Sequence, residues 1–278
     1  MDQEIQKAGV TLKRMITVLI LVILLSSSVS ASGPGLSEYI LKATDDDGYV
    51  FRSTSLGNYV TDTIRQAAGT DFAFLPSDLM GLNLAAGTVD NAGLELSLPR
   101  DEPVYVVSIT VPQLRQVLEL SCSHLTLDAT EQIDAAASAW GGFLQLSGLR
   151  VIYNVPAMVG DRVYSVMDMD RQELDLTDGD TIYTAAVPAS MLEGSYGYER
   201  YLSADAAGLP VGTLRQLVAQ RIDAEGISQQ WEDRRITLYG ARENEIIDYF
   251  PPYLILFVVV LFAVFGGYKW RRSVRFER

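Results

Sequence analysis

Phe143-Leu144-Gln145-Leu146-Ser147-Gly148-Leu149-Arg150-Val151-Ile152-Tyr153-Asn154 is the stretch on which the reading of this chain turns. Leu144 to Tyr153 reads as strand, as does Val163 to Met167. Working outward, Phe72 to Leu75 is a short buried strand before Pro76, Val104 to Ile109 a β-branched and aromatic strand, and Ile236 to Leu238 a closing strand. Leu56, Val60, Ile64 and Ala67 recur at helical spacing and stop at Gly69. A second helix begins at Thr110, with Pro112 in its first turn and Leu114, Val117, Leu118 and Cys122 on one face. A last one carries Leu214, Leu217, Val218 and Ile222 and ends before Gly226. Thr126 to Trp140 is a polar, alanine-rich loop, and Asp178-Gly179-Asp180 is expected to form a hairpin turn into Tyr183. Helices and strands mix without regular βαβ alternation, so the expected class is α+β, a mixed sheet with packed helices.

The ends carry a different signal. Lys7, Lys13 and Arg14 precede an apolar run from Met15 to Leu25 and a small-residue site ending at Ala31. This pattern reads as a secretory signal over residues 1–31 cut after Ala31, with an uncleaved anchor as the alternative. Residues 32–49 are Gly-, Ser- and Asp-rich and read as a linker to an exterior domain at 50–241. A polar connector, 242–250, leads to an uncharged apolar segment at 251–268 that has tyrosines at both edges, Tyr253 and Tyr268. The tail, 269–278, is basic (Lys269, Arg271, Arg272, Arg275). That arrangement predicts one transmembrane helix, with the domain outside the cell membrane and the C-terminus in the cytoplasm.

Charge and composition narrow the function. The chain has 35 acidic and 22 basic side chains, a net charge of −13, which disfavours nucleic acid as a partner. Its one cysteine, Cys122, excludes a disulfide and a cysteine metal cluster, and it reads as a small core residue. Its one histidine is His124, and no GxSxG elbow is present. No cofactor is expected.

Three segments carry a family resemblance. Phe143 to Asn154 resembles the "hQVSGLRhxYD" segment of the C-terminal, substrate-binding domain of 5′-nucleotidases. Leu56-Gly57-Asn58-Tyr59-Val60-Thr61-Asp62 with Arg65 is similar to that domain's opening "LGNLVADAMR". Asp180 to Ala186 is similar to its "DKTYTVAT" strand. The resemblance implies that hydrolytic metals belong to a separate metallophosphoesterase domain, while this domain stacks the base between two phenylalanines and holds the nucleoside with Asn, Arg and Asp.

Those contact positions are rewritten. The family's "NGGGIR" falls on Pro76-Ser77-Asp78-Leu79-Met80-Gly81, so its Asn and Arg are gone. Its "LPFGN" falls on Leu98-Pro99-Arg100-Asp101-Glu102, with Arg100 for the stacking Phe and Glu102 for the Asn. Its "NDFLASGGDGY" falls on Pro188 to Tyr198, with Ser190 for the second Phe and Tyr196 for the Asp, while Gly194, Gly197 and Tyr198 remain. Arg100, Ser190, Tyr196, Tyr198 and Tyr201 are therefore the expected binding residues, and they suit a protein or glycan contact or simply pack over the vacated cleft. The chain is expected to be catalytically silent alone, tethered at a bacterial cell surface, and to act through a protein partner or an altered ligand. The alternative is a nucleotide-recognition subunit for a separate metallophosphoesterase.

Overall fold

The computed structural model describes residues 35–45, 48–203 and 208–240. The signal, connector, apolar segment and basic tail read from the sequence lie outside these residues. Among the described residues no helix is long and apolar enough to cross a membrane.

Four helices and ten strands alternate irregularly along the described residues. The helices are α1 (Ser55–Ala68), α2 (Asn91–Ser97), α3 (Val111–Cys122) and α4 (Leu214–Glu225). The central sheet has five strands in the order β5 (Leu144–Ser147), β2 (Phe72–Pro76), β8 (Ile182–Pro188), β4 (Pro103–Thr110), β9 (Gly212–Thr213). A second sheet has the order β10 (Ile236–Tyr239), β6 (Leu149–Asn154), β7 (Val163–Asp168). A two-stranded ribbon pairs β1 (Leu36–Ser37) with β3 (Gly87–Thr88). Pairs β2–β8 and β6–β10 are parallel and the other ladders antiparallel, which makes the central sheet mixed and the class α+β.

The central sheet separates two cores. Strand alternation sends Phe72 and Phe74 to one face and Ala73 and Leu75 to the other, so β2 is buried on both sides. One face packs on α1 and α4 through Leu56, Val60, Ile64, Leu214 and Val218. The opposite face packs on α3 and the three-stranded sheet through Leu114, Val117, Leu118, Val151 and Tyr153.

Local chemistry sets the helix ends. The Thr54 hydroxyl accepts from Gly57 N at 3.0 Å to start α1, and Gly69, at φ 64°, ends it. Thr110 with Gln113 and Thr213 with Gln216 form capping boxes at α3 and α4.

Three expectations need correction. The stretch Leu144–Tyr153 is two strands in different sheets, because Gly148 takes φ +85° and turns the chain between them. Asp178-Gly179-Asp180 turns the chain but closes no hairpin: β7 pairs with β6, and β8 enters the central sheet between β2 and β4. The linker at 32–49 contributes to the fold, since β1 lies in it and Leu41, fully buried, bonds Leu84 in both directions at 2.9 Å. The interior apolar surface over β2 and α1 has to be covered, and Leu41 and Ala43 cover part of it.

Candidate functional site

The sequence segments around Gly57, Asp62, Gln145 and Ser147 converge on one buried polar network between α1 and β5. Gln145 Oε1 accepts from Thr54 N at 2.9 Å, and its Nε2 donates to Arg52 O at 2.9 Å and Val50 O at 3.2 Å. Gly57 is the residue that admits this amide, because a Cβ there would lie 2.5 Å from Gln145 Oε1. Asp62 receives both arms of Arg235, at 2.8 Å each, and also accepts from Ser147 Oγ. Arg65 Nε donates to Ser147 Oγ at 2.7 Å. Asn58 Nδ2 donates to the carbonyls of Trp231 and Asp233. With Asp62 and Arg235 nearly excluded from solvent, this network fastens α1 to β5 and β10 and offers no face to a ligand.

Open, polar chemistry lies elsewhere, at the C-terminal end of β2. Asp78 sits in the 3-10 turn Ser77–Leu79 that follows the strand. Arg100 follows α2, and Tyr196 lies in the turn between the 3-10 segments Ala189–Met191 and Tyr198–Arg200. Their side chains meet: Arg100 NH2 donates to Asp78 Oδ1 at 2.8 Å and to the Tyr196 hydroxyl, which in turn donates to Asp78 Oδ1 at 2.5 Å. Glu102 completes the group, with Oε1 3.6 Å from Arg100 Nε and Oε2 accepting from Ser190 N at 3.0 Å. Of the expected residues, Arg100, Ser190 and Tyr196 are thus brought together. Tyr198 is fully buried, donates to Gly142 O at 2.7 Å and does not reach the surface. Tyr201 lines a separate hollow of about 290 Å³ with Gln113, Leu192 and Arg200.

Beside the Asp78 cluster runs an open cleft of about 700 Å³, within the range of small-molecule sites. Tyr49, Phe51, Met80 and Trp140 supply its apolar walls, and Asp78 and Ser77 its polar end. Trp140 is held by His124, stacked at 4.4 Å, and by Tyr198 at 6.1 Å. Asp78 and Trp140 were not among the expected site residues. In the sequence Asp78 carries no charge pattern of its own, and Trp140 closes a loop without a motif. Among the described residues no group of three His, Cys, Asp or Glu side chains could hold a metal.

Burial and the hydrogen bond donated to Asp78 push the Tyr196 hydroxyl up to about 12. An unfolded-chain tyrosine ionises near pH 10, so between pH 10 and about 12 the folded protein holds a proton that the unfolded chain has lost. Stability is therefore expected to fall across that window, and Tyr196→Phe to flatten the fall. Thermal unfolding at stepped pH, with phenolate absorbance as a second readout, tests this. Equal slopes for both proteins would show that Tyr196 is not held by Asp78.

Comparison with known proteins gives the fold a place. The family described as "5′-nucleotidase, C-terminal domain" matches residues 39–202, more than half of the chain. The curated relative "Protein 5NUC" of Lutzomyia longipalpis is 26% identical over 220 residues, which cover 72% of this chain and 37% of that protein. A 5′-nucleotidase precursor from Thermus thermophilus superposes with a TM-score of 0.61 at 18% identity, covering 81% of this chain and 42% of that one. A putative 5′-nucleotidase from Staphylococcus aureus gives 0.58 at 15% identity, covering 72% and 41%. This chain spans about two-fifths of the length of these relatives. Joined to the α1–β5 network built by the matching segments, the family match means that the chain belongs to the 5′-nucleotidase C-terminal domain family.

Proposed function

We propose that this chain is a membrane-tethered exterior binding domain, without hydrolytic activity of its own, whose rewritten pocket takes a protein partner or a ligand other than a nucleotide. The observation that carries this reading is the closed Arg100–Asp78–Tyr196 cluster with Glu102 behind it. Where a base would need an aromatic face, Arg100 presents a guanidinium whose bonds go to Asp78 and Tyr196. Two carboxylates face one guanidinium, so the cluster is net negative and repels a phosphate. The adjoining walls of Tyr49, Phe51 and Trp140 suit an apolar or aromatic group, such as a partner's anchoring side chain. Tethering rests on the apolar segment 251–268 with its basic tail.

A second reading makes the chain a nucleotide-recognition subunit acting with a separate metallophosphoesterase. It is favoured by the retained Gly194, Gly197 and Tyr198 and by relatives described as 5′-nucleotidases. Thermal unfolding of the detergent-solubilised chain against nucleosides, nucleotides and nucleotide sugars separates the two. A ligand at 100 times its dissociation constant adds about 2.7 kcal/mol of stability. The first reading expects no midpoint shift with any of them and no AMP hydrolysis with added divalent metal. A reproducible shift with nucleotides supports the second reading; hydrolysis of AMP overturns both.

A further inference from the structure

We propose that the turn joining β6 to β7 is a second membrane contact, seated in the interfacial layer of the bilayer; this rests on the tether proposed above. Its tip exposes Met158 (82%) and Val159 (62%), flanked by Pro156 and Ala157. Exposed apolar side chains adjacent in one tight turn are not explained by the core, which lies at the other face of this sheet. Directly behind the tip, Tyr164 (68% exposed) on β7 and Tyr239 (62% exposed) on β10 stack at 6.1 Å across the sheet. An apolar tip backed by a pair of tyrosines matches the depth order of a bilayer interface, where Tyr rings sit at headgroup level.

The turn is also rigid and correctly placed. Arg162 Nε donates to Ala157 O at 3.1 Å, and its NH1 donates to Cys122 O and Leu125 O at 2.8 Å each, tying the turn to the end of α3. Glu119 accepts from Arg162 N at 3.0 Å and Val163 N at 2.8 Å. The charge at the tip, Asp161, is paired with Arg115 at 3.2 Å. The described chain ends beside this same turn: Val155 N donates to Tyr239 O at 3.1 Å, and a Cβ on Gly240 would meet Pro156 Cδ at 2.6 Å. Residues 241–252 separate Gly240 from Tyr253. Even fully extended, they keep the exit point within roughly 40 Å of the apolar segment. The tether therefore leaves from the edge of the domain that carries the apolar tip.

The test places an environment-sensitive fluorophore on Met158→Cys and, separately, on Asp170→Cys in the full chain reconstituted into phosphatidylcholine vesicles. Asp170 follows β7 at the opposite end of the same hairpin, since Leu149 pairs with Asp168 there. Cys122 is fully buried and its thiol is pushed up to about 12, chiefly by burial, so the introduced cysteine takes the label. The expected result is a blue-shifted emission at 158 that lipid-borne spin labels quench, with the probe at 170 open to aqueous iodide. Equal iodide access at both positions in vesicles that retain the chain after an alkaline wash overturns the tip contact alone. A chain stripped from vesicles by that wash overturns the tether and the tip contact with it. Energy transfer between 158 probes that persists in detergent overturns the lipid contact in favour of a surface joining two copies of the chain.

Discussion

Asp62→Ala is expected to destabilise the domain by about 3 kcal/mol, because it strands the buried Arg235 guanidinium. Arg235 is 3% exposed and gives both arms to Asp62 at 2.8 Å; its remaining side-chain partners are Leu146 O at 2.8 Å, the outer Asp233 at 3.4 Å and Thr61 Oγ1 at 3.5 Å. Asp233 keeps one partner on the guanidinium, which places the effect at the low end of the range for a broken buried pair. For a domain of this size the melting midpoint should drop by roughly 6–12 °C. Ser147 would lose an acceptor at the same time, and Arg65 with it a fixed partner. The double variant Asp62→Leu with Arg235→Met removes both charges and should recover part of the loss, which identifies stranded charge as the cause. A loss below about 1 kcal/mol for Asp62→Ala would mean that the pair is no more than a surface ion pair in effect.

The second large effect is expected from Gly148→Ala. Gly148 holds φ +85°, and a Cβ there would sit 2.0 Å from Asp71 O and 3.2 Å from Arg65 Cδ. The acceptor cannot step aside, because Asp71 is pinned to β8: its Oδ2 accepts from Thr184 N and Oγ1 at 2.8 Å each. The left-handed backbone costs an alanine about 1–2 kcal/mol and the overpacking a further 1–3 kcal/mol or so, for a total of about 2–5 kcal/mol. Gly69→Ala isolates the backbone contribution, since Gly69 has φ +64° with open space where the Cβ would go. Chemical denaturation of the two variants side by side checks the argument: the expected outcome is Gly148→Ala losing at least twice as much as Gly69→Ala. Comparable losses would show that the Asp71 carbonyl yields.

Gly57, Asp62, Gln145, Ser147 and Gly148 together build the joint between helix and sheet. Arg100, Glu102, Ser190 and Tyr196 lie outside this joint, in the cluster around Asp78. The Arg100–Asp78 pair is about half exposed, at 45% and 40%, and contributes little to stability by itself.

The sequence alone determined what is local. Helical spacing, with Thr110 at one start and Gly69 and Gly226 at two ends, located α1, α3 and α4, because a cap satisfies backbone groups within one turn; the caps Thr54 and Thr213 are read from the structure. The family segments identified the domain. Only the tertiary structure decided which strands meet. Leu144–Tyr153 carries one unbroken strand pattern, yet its halves join different sheets, since the partners β2 and β10 are remote in the chain. The turn at Asp178–Asp180 has hairpin chemistry, but β7 stays at the edge of the three-stranded sheet while β8 pairs with β2 and β4 in the central one. Asp78, Arg100 and Tyr196 come from three separate loops, and their closure into one cluster depends on β2, β4 and β8 lying side by side. Strand pairing and loop convergence are long-range choices, made by burying both faces of the central sheet, and no short window of sequence encodes them.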